Sequence, residues 1–90
     1  MKLHFTRNIH FTKLLKAEGR TREFNFRKMR VEGEDLFSVD VVDNRGNRII
    51  FKMRKENSVW KIIPQTLPEW VTELEDKFSE AIEEELRNAS

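Results

Sequence analysis

Ninety residues with 38% hydrophobic content make one domain around one modest core, because a chain of this size removes only about two thirds of its unfolded surface from water on folding. The absence of cysteine excludes a disulfide framework, a thiolate metal site and a cysteine nucleophile, and no apolar run approaches the roughly 20 residues of a membrane-spanning helix. Charged residues reach 37% at a formal net charge of only +1, and Met1-Lys2 leads into no apolar signal segment, so the expectation is a soluble, cytoplasmic protein.

The near-neutral total conceals a polarity along the chain. Residues 1–30 carry +7, residues 31–63 carry 0 and residues 64–90 carry −6. Either an acidic helix and a basic sheet complement each other within one fold or between two copies, or the basic part faces a polyanion while the helix faces away. The first account is the simpler and is preferred.

Residues 2–18 admit two readings. Leu3 and Phe5 alternate, as do Ile9, Phe11 and Leu15, which suits a strand; Phe11, Leu14 and Leu15 also fit a helical turn ending at Gly19. Gly19, Gly33 and Gly46 recur at intervals of 14 and 13 residues, a spacing of turns that favours an antiparallel meander and hence the strand. A second strand is expected over 22–31, a turn at Glu32-Gly33-Glu34, and a third strand over 35–43 with Phe37, Val39 and Val41 on one face. Asp43-Asn44-Arg45-Gly46 has the residues of a tight turn, and the fourth strand, 48–55, turns Ile49, Phe51 and Met53 inward. Asn57 suits a further tight turn before the last strand, 58–63, which Pro64 ends.

Residues 66–87 are expected to form the long C-terminal amphipathic helix. Leu67, Trp70, Val71, Leu74, Phe78, Ala81, Ile82 and Leu86 recur at three- and four-residue steps, with seven acidic residues on the other side. Thr66 and Glu69 have capping-box spacing, with Pro68 in the first turn. The fold class expected is therefore α+β: a four- to five-stranded antiparallel meander over about 2–63, with this helix packed on one face, as a single domain.

One helix is about 10 Å wide and such a sheet about 20 Å or more, so the helix cannot cover both faces, and the N-terminal segment, a second copy of the chain or a ligand is expected to rest on the far one. The outward set includes Leu36, Val42, Ile50, Val59 and Ile63 among the basic residues Lys28, Arg30, Arg48, Lys52, Arg54 and Lys61, with Asp40 the one acid. The second strand breaks the alternation, since Phe24 and Phe26 share a face with Lys28 and Arg30. Either a bulge switches its faces, or the two phenylalanines join the outer face as an aromatic and basic surface.

Motifs for chemistry are absent. His4 and His10 lack metal-ligand spacing, Asp43 is accounted for by its turn, and there is no phosphate-cradling glycine loop or nucleophile elbow. Trp60 and Trp70 read as core anchors, and no cofactor or catalytic residue is expected. Two functions remain. The first is a non-catalytic module that pairs with itself or another protein through the open sheet face or an edge strand. The second is single-stranded nucleic-acid binding, with Phe24, Phe26, Lys28, Arg30, Arg48, Ile50, Lys52, Arg54 and Lys61 as the candidate surface and Phe5 as a further stacking residue. The order of strands followed by a C-terminal helix over 22–88 is similar to that of Whirly and Pur-alpha type single-strand binders, a likeness of element order carried by no shared residue motif.

Overall fold

The computed structural model describes residues 9–89. Five strands, β1 (His10–Ala17), β2 (Arg20–Val31), β3 (Glu34–Val42), β4 (Arg48–Glu56) and β5 (Val59–Ile62), form one antiparallel sheet in sequence order. The N-terminal segment is thus a strand from His10 onward, while residues 2–8 and with them His4 and Phe5 lie outside the described residues. β1 joins the edge of the sheet beside β2 and lies in its layer, so among the described residues no element covers the outer face.

Three of the four connections are two-residue hairpin loops with both central residues at positive φ: Glu18-Gly19 at 53° and 77°, Glu32-Gly33 at 50° and 80°, and Asn57-Ser58 at 52° and 73°. This mirror-image turn matches the right-handed twist of its flanking strands, which is why it recurs. The fourth loop closes through the Asp43 carboxylate, which accepts from the backbone N–H of Arg45 at 2.9 Å and of Asn47 at 2.8 Å.

No bulge interrupts β2. Its register against β3 runs unbroken from Asn25 opposite Asp40 to Val31 opposite Glu34, so Phe24, Phe26, Lys28 and Arg30 do share one face. That face is the one the helix covers. Phe24 and Phe26 are 0% and 1% exposed, which corrects their expected place on an outer aromatic surface. Lys28 and Arg30 continue the same face past the aromatic cluster, and both reach Asp35, at 3.8 and 3.3 Å. The alternation looked broken only because a 12-residue strand outruns the apolar patch beneath the helix and carries on with charge.

The core is aromatic. Phe78 of the helix meets Phe24, Phe51 and Phe26 at centroid distances of 5.1, 5.4 and 6.0 Å, and Trp60 stands edge-on to Phe37 at 5.0 Å. Phe11 stacks on Phe26 at 4.5 Å and also reaches Phe37, two strands away, at 6.3 Å. Two strand spacings in a flat sheet amount to about 9.6 Å, so this contact reports a sheet curled around the helix.

The helix begins later than its periodicity suggests. A single turn, α1 (Glu69–Thr72), precedes α2 (Glu75–Ala89), and Pro68 is the N-cap at φ −60°, ψ 147° without a side-chain cap bond. The Thr66 capping box is therefore not formed. It would need Leu67 in helical conformation, which the ring of the following proline disfavours. Across the break Glu73 N–H donates to Glu69 O at 2.9 Å and Leu74 N–H to Val71 O at 3.0 Å, so helical bonding continues through one tightened step. Val71, Phe78, Ala81 and Ile82 are buried on the expected apolar face, with Leu67, Trp70, Leu74 and Leu86 packed against them.

Ser58 is the one loop position of the three hairpins where a side chain other than glycine stands second at positive φ, and relieving that strain is expected to stabilise the fold. Ser58→Gly should gain about 0.5–1 kcal/mol, read as a rise of a few degrees in Tm by circular dichroism, offset in part by the entropy glycine adds to the unfolded chain.

Candidate interaction surface

The two edges of the sheet are treated differently. On β5 the Ile63 N–H donates to Lys52 O at 2.8 Å, which by antiparallel alternation turns the N–H groups of Trp60 and Ile62 away from β4. Both are taken by α2: Trp60 N–H donates to Ser79 Oγ at 3.0 Å and Ile62 N–H to Glu75 Oε2 at 2.7 Å. The Trp60 indole N–H adds a bond of 2.7 Å to Glu83 Oε2, and Lys55 and Lys61 approach Glu83 and Glu75 at 3.3 and 3.9 Å. The outward N–H groups of this edge are thus not free for another strand. The indole bond, with Lys55 beside it, holds the Glu83 carboxyl below the ordinary glutamate value against some desolvation.

On β1 the Lys28 N–H donates to Ile9 O at 2.8 Å, so Ile9 and, by alternation, Phe11, Lys13, Leu15 and Ala17 bond toward β2. His10, Thr12, Leu14 and Lys16 turn their N–H and C=O groups outward, and no described strand flanks them. Eight residues of edge are presented without a proline or a bulge, and Leu14, at 63% exposure, is the most exposed large hydrophobic side chain of the described residues.

Between the edges lies the open face. Thr12, Asn25 and Asp40 are cross-strand neighbours in one row, bonded by Thr12 Oγ1 to Asn25 Oδ1 at 2.8 Å and Asn25 Nδ2 to Asp40 Oδ1 at 3.1 Å; Arg48 joins Asp40 at 3.2 Å. The next row reads His10, Arg27, Ser38 and Lys52, and a shallow trough runs between the two. Of the candidate residues, Arg48, Ile50, Lys52, Arg54 and Lys61 stand on this face, whereas Phe24, Phe26, Lys28 and Arg30 belong to the other. Arg54 is held by Glu34 at 2.8 Å. Among the described residues the open face carries no phenylalanine or tryptophan, and Arg27 and Lys52 form no ion pair there. Arg27, Asn25 and Ser38 were not singled out in the sequence. The even–odd alternation of β2 and β3 finds them once Phe24 is known to face the helix.

Arg22 was also missed. It is 5% exposed, donates to Ala17 O at 3.2 Å and to Asn44 Oδ1 at 2.9 Å, and its guanidinium lies 4.4 Å from the Trp70 ring centre. It ties the first hairpin to the β3–β4 loop and to α1, a structural task.

Among the described residues no three imidazole or carboxylate groups converge as a metal site, and no helix is long and apolar enough to cross a membrane. Comparison of the chain with models of protein families, with curated proteins and with solved structures finds no match.

A depressed folded-state pKa makes Glu83 a source of stability that is present above the unfolded value and lost as pH falls through the folded one. Unfolding measured between pH 6 and pH 3 should therefore show a loss of stability below about pH 4.3, the ordinary glutamate value. Glu83→Gln should flatten that slope, and an unchanged slope would place the titration elsewhere.

Proposed function

We propose that the chain is a small non-catalytic interaction module of the cytoplasm that self-associates by adding the β1 edge of one copy to that of another. The asymmetry of the edges carries this reading. One edge has its outward N–H groups taken by Ser79 and Glu75, and the other offers a strand unpaired among the described residues, with an exposed leucine at its middle. Pairing through the open face is less favoured. Val31, Val42, Ile50 and Val59 are exposed there but are interrupted by the Arg48–Asp40 and Arg54–Glu34 pairs, which a flat partner would have to desolvate.

Sedimentation equilibrium should give a dimer at micromolar concentration, and a monomer across the accessible range would overturn the reading. Thr12→Pro removes an outward N–H, which an edge strand tolerates, together with the exposed Thr12 Oγ1 bond to Asn25, so a folded monomer is expected. Lys13→Pro removes an N–H bonded to β2 and should cost the fold itself.

A second reading is favoured by one observation, the two exposed cations Arg27 and Lys52 on either side of Ser38, free of ion pairs among the described residues. They suit a backbone phosphate of single-stranded nucleic acid, but without the phenylalanines this surface has no stacking platform. Its consequence is retention of a labelled oligonucleotide at low salt that falls with ionic strength and disappears in Lys52→Glu. Absence of retention in the unsubstituted chain removes it.

A further inference from the structure

We infer that the two copies meet about a two-fold axis through Leu14, which faces Leu14 of the partner strand, with Thr12 opposite Lys16 and Lys13 opposite Leu15; this rests on the edge pairing proposed above. A homodimer of edge strands is isologous, so the residue numbers of facing pairs have a constant sum. Hydrogen-bonded pairs can form only between residues whose backbone groups point outward, His10, Thr12, Leu14 and Lys16. Four axes then pair at least five residues of the strand, at Thr12, Lys13, Leu14 or Leu15.

The side chains choose among them. An axis at Lys13 pairs residues 10–16 and engages all four outward residues, but sets Lys13 directly against its own copy in the closely spaced, non-hydrogen-bonded position, and His10 against Lys16. An axis at Leu15 shortens the overlap to residues 13–17. An axis at Thr12 leaves Leu14 opposite His10. The axis at Leu14 keeps residues 11–17 paired, sets the most exposed aliphatic side chain against its equal, and brings no two lysines together. It also brings His10 toward Glu18 at the far end of the partner strand, an attraction of opposite charge when the imidazole is protonated. Lys13 and Lys16 thus select the register, and each keeps an aliphatic or hydroxyl partner across the seam.

The chain has no cysteine, so single cysteines report the register directly. Hydrogen-bonded antiparallel partners have Cα atoms about 5.5 Å apart, within the range a disulfide spans, whereas a residue two positions out of register lies beyond about 7 Å. The full chain carrying Leu14→Cys should be oxidised to a covalent dimer by glutathione disulfide, while Thr12→Cys, Lys13→Cys and Leu15→Cys, each alone, remain uncrosslinked. An equimolar mixture of Thr12→Cys and Lys16→Cys chains should give dimers containing one of each. Circular dichroism of the reduced variants verifies that each is folded, and the mixed pair carries the test should Leu14→Cys fail to fold. Crosslinking at 12, 13 or 15 in place of 14 overturns this register and leaves edge pairing standing. A dimer by sedimentation that no β1 cysteine crosslinks overturns edge pairing as well, and a monomer removes both.

Discussion

A helix about 10 Å wide must satisfy a sheet twice as broad, and that mismatch governs the rest of the molecule. The sheet answers by curling, which lets one ring, Phe78, touch Phe24 on β2 and Phe51 on β4 together. With three phenylalanines against it and no exposure, Phe78 fixes where α2 lies, and the register of every strand is then settled by which side chains must face it. A one-residue slip of β2 would exchange Phe24 and Phe26 for Glu23 and Asn25 beneath the helix.

Once the helix is placed, its polar flank has a second task. Ser79 and Glu83 stand one helical turn apart, and Glu75 one turn before Ser79, so the three line one side of α2 at the spacing that reaches successive groups along β5. A helix that bonds the backbone of an edge strand removes that edge from play at no cost in apolar contact. The same logic satisfies Arg22, whose buried cation is received by Ala17 O, Val42 O, Asn44, the Glu18 carboxylate and the Trp70 ring; among the described residues no buried side-chain polar atom lacks a partner.

The architecture was legible because its signals are local. Positive-φ turns at Gly19, Gly33 and Asn57 punctuate strands that alternate cleanly from Phe37 to Met53, and a 3.6-residue period runs from Trp70 to Leu86. Where reading failed, the deciding fact was nonlocal. The side of β2 that faces the helix depends on β3 and Phe78, so Phe24 and Phe26 could not be placed from their own strand, and Arg22 gives no hint of burial until three separate segments converge on it. The helix starts later than its period for a local reason, the effect of Pro68 on the residue before it. The candidate surface was half legible: the β4 and β5 cations were placed correctly by alternation, and the β2 members were not.

The segregation of charge along the chain is answered only in part within the fold, since of three pairs made to the helix among the described residues only that of Lys13 draws on the basic residues 1–30. Lys13 meets Glu84 at 3.8 Å, Lys55 meets Glu83 at 3.3 Å and Lys61 meets Glu75 at 3.9 Å, so the acidic helix is answered from β1, β4 and β5 alike. All three pairs are partly solvated and each is worth at most about 1 kcal/mol, too little to hold the helix by themselves. A protein built to grip a polyanion would gain by keeping such lysines unpaired and its aromatic rings outside. Here Lys13, Lys55 and Lys61 face the helix carboxylates and the rings fill the core, while among the described residues the outward N–H and C=O groups of His10, Thr12, Leu14 and Lys16 have no strand beside them, a row that another strand would complete.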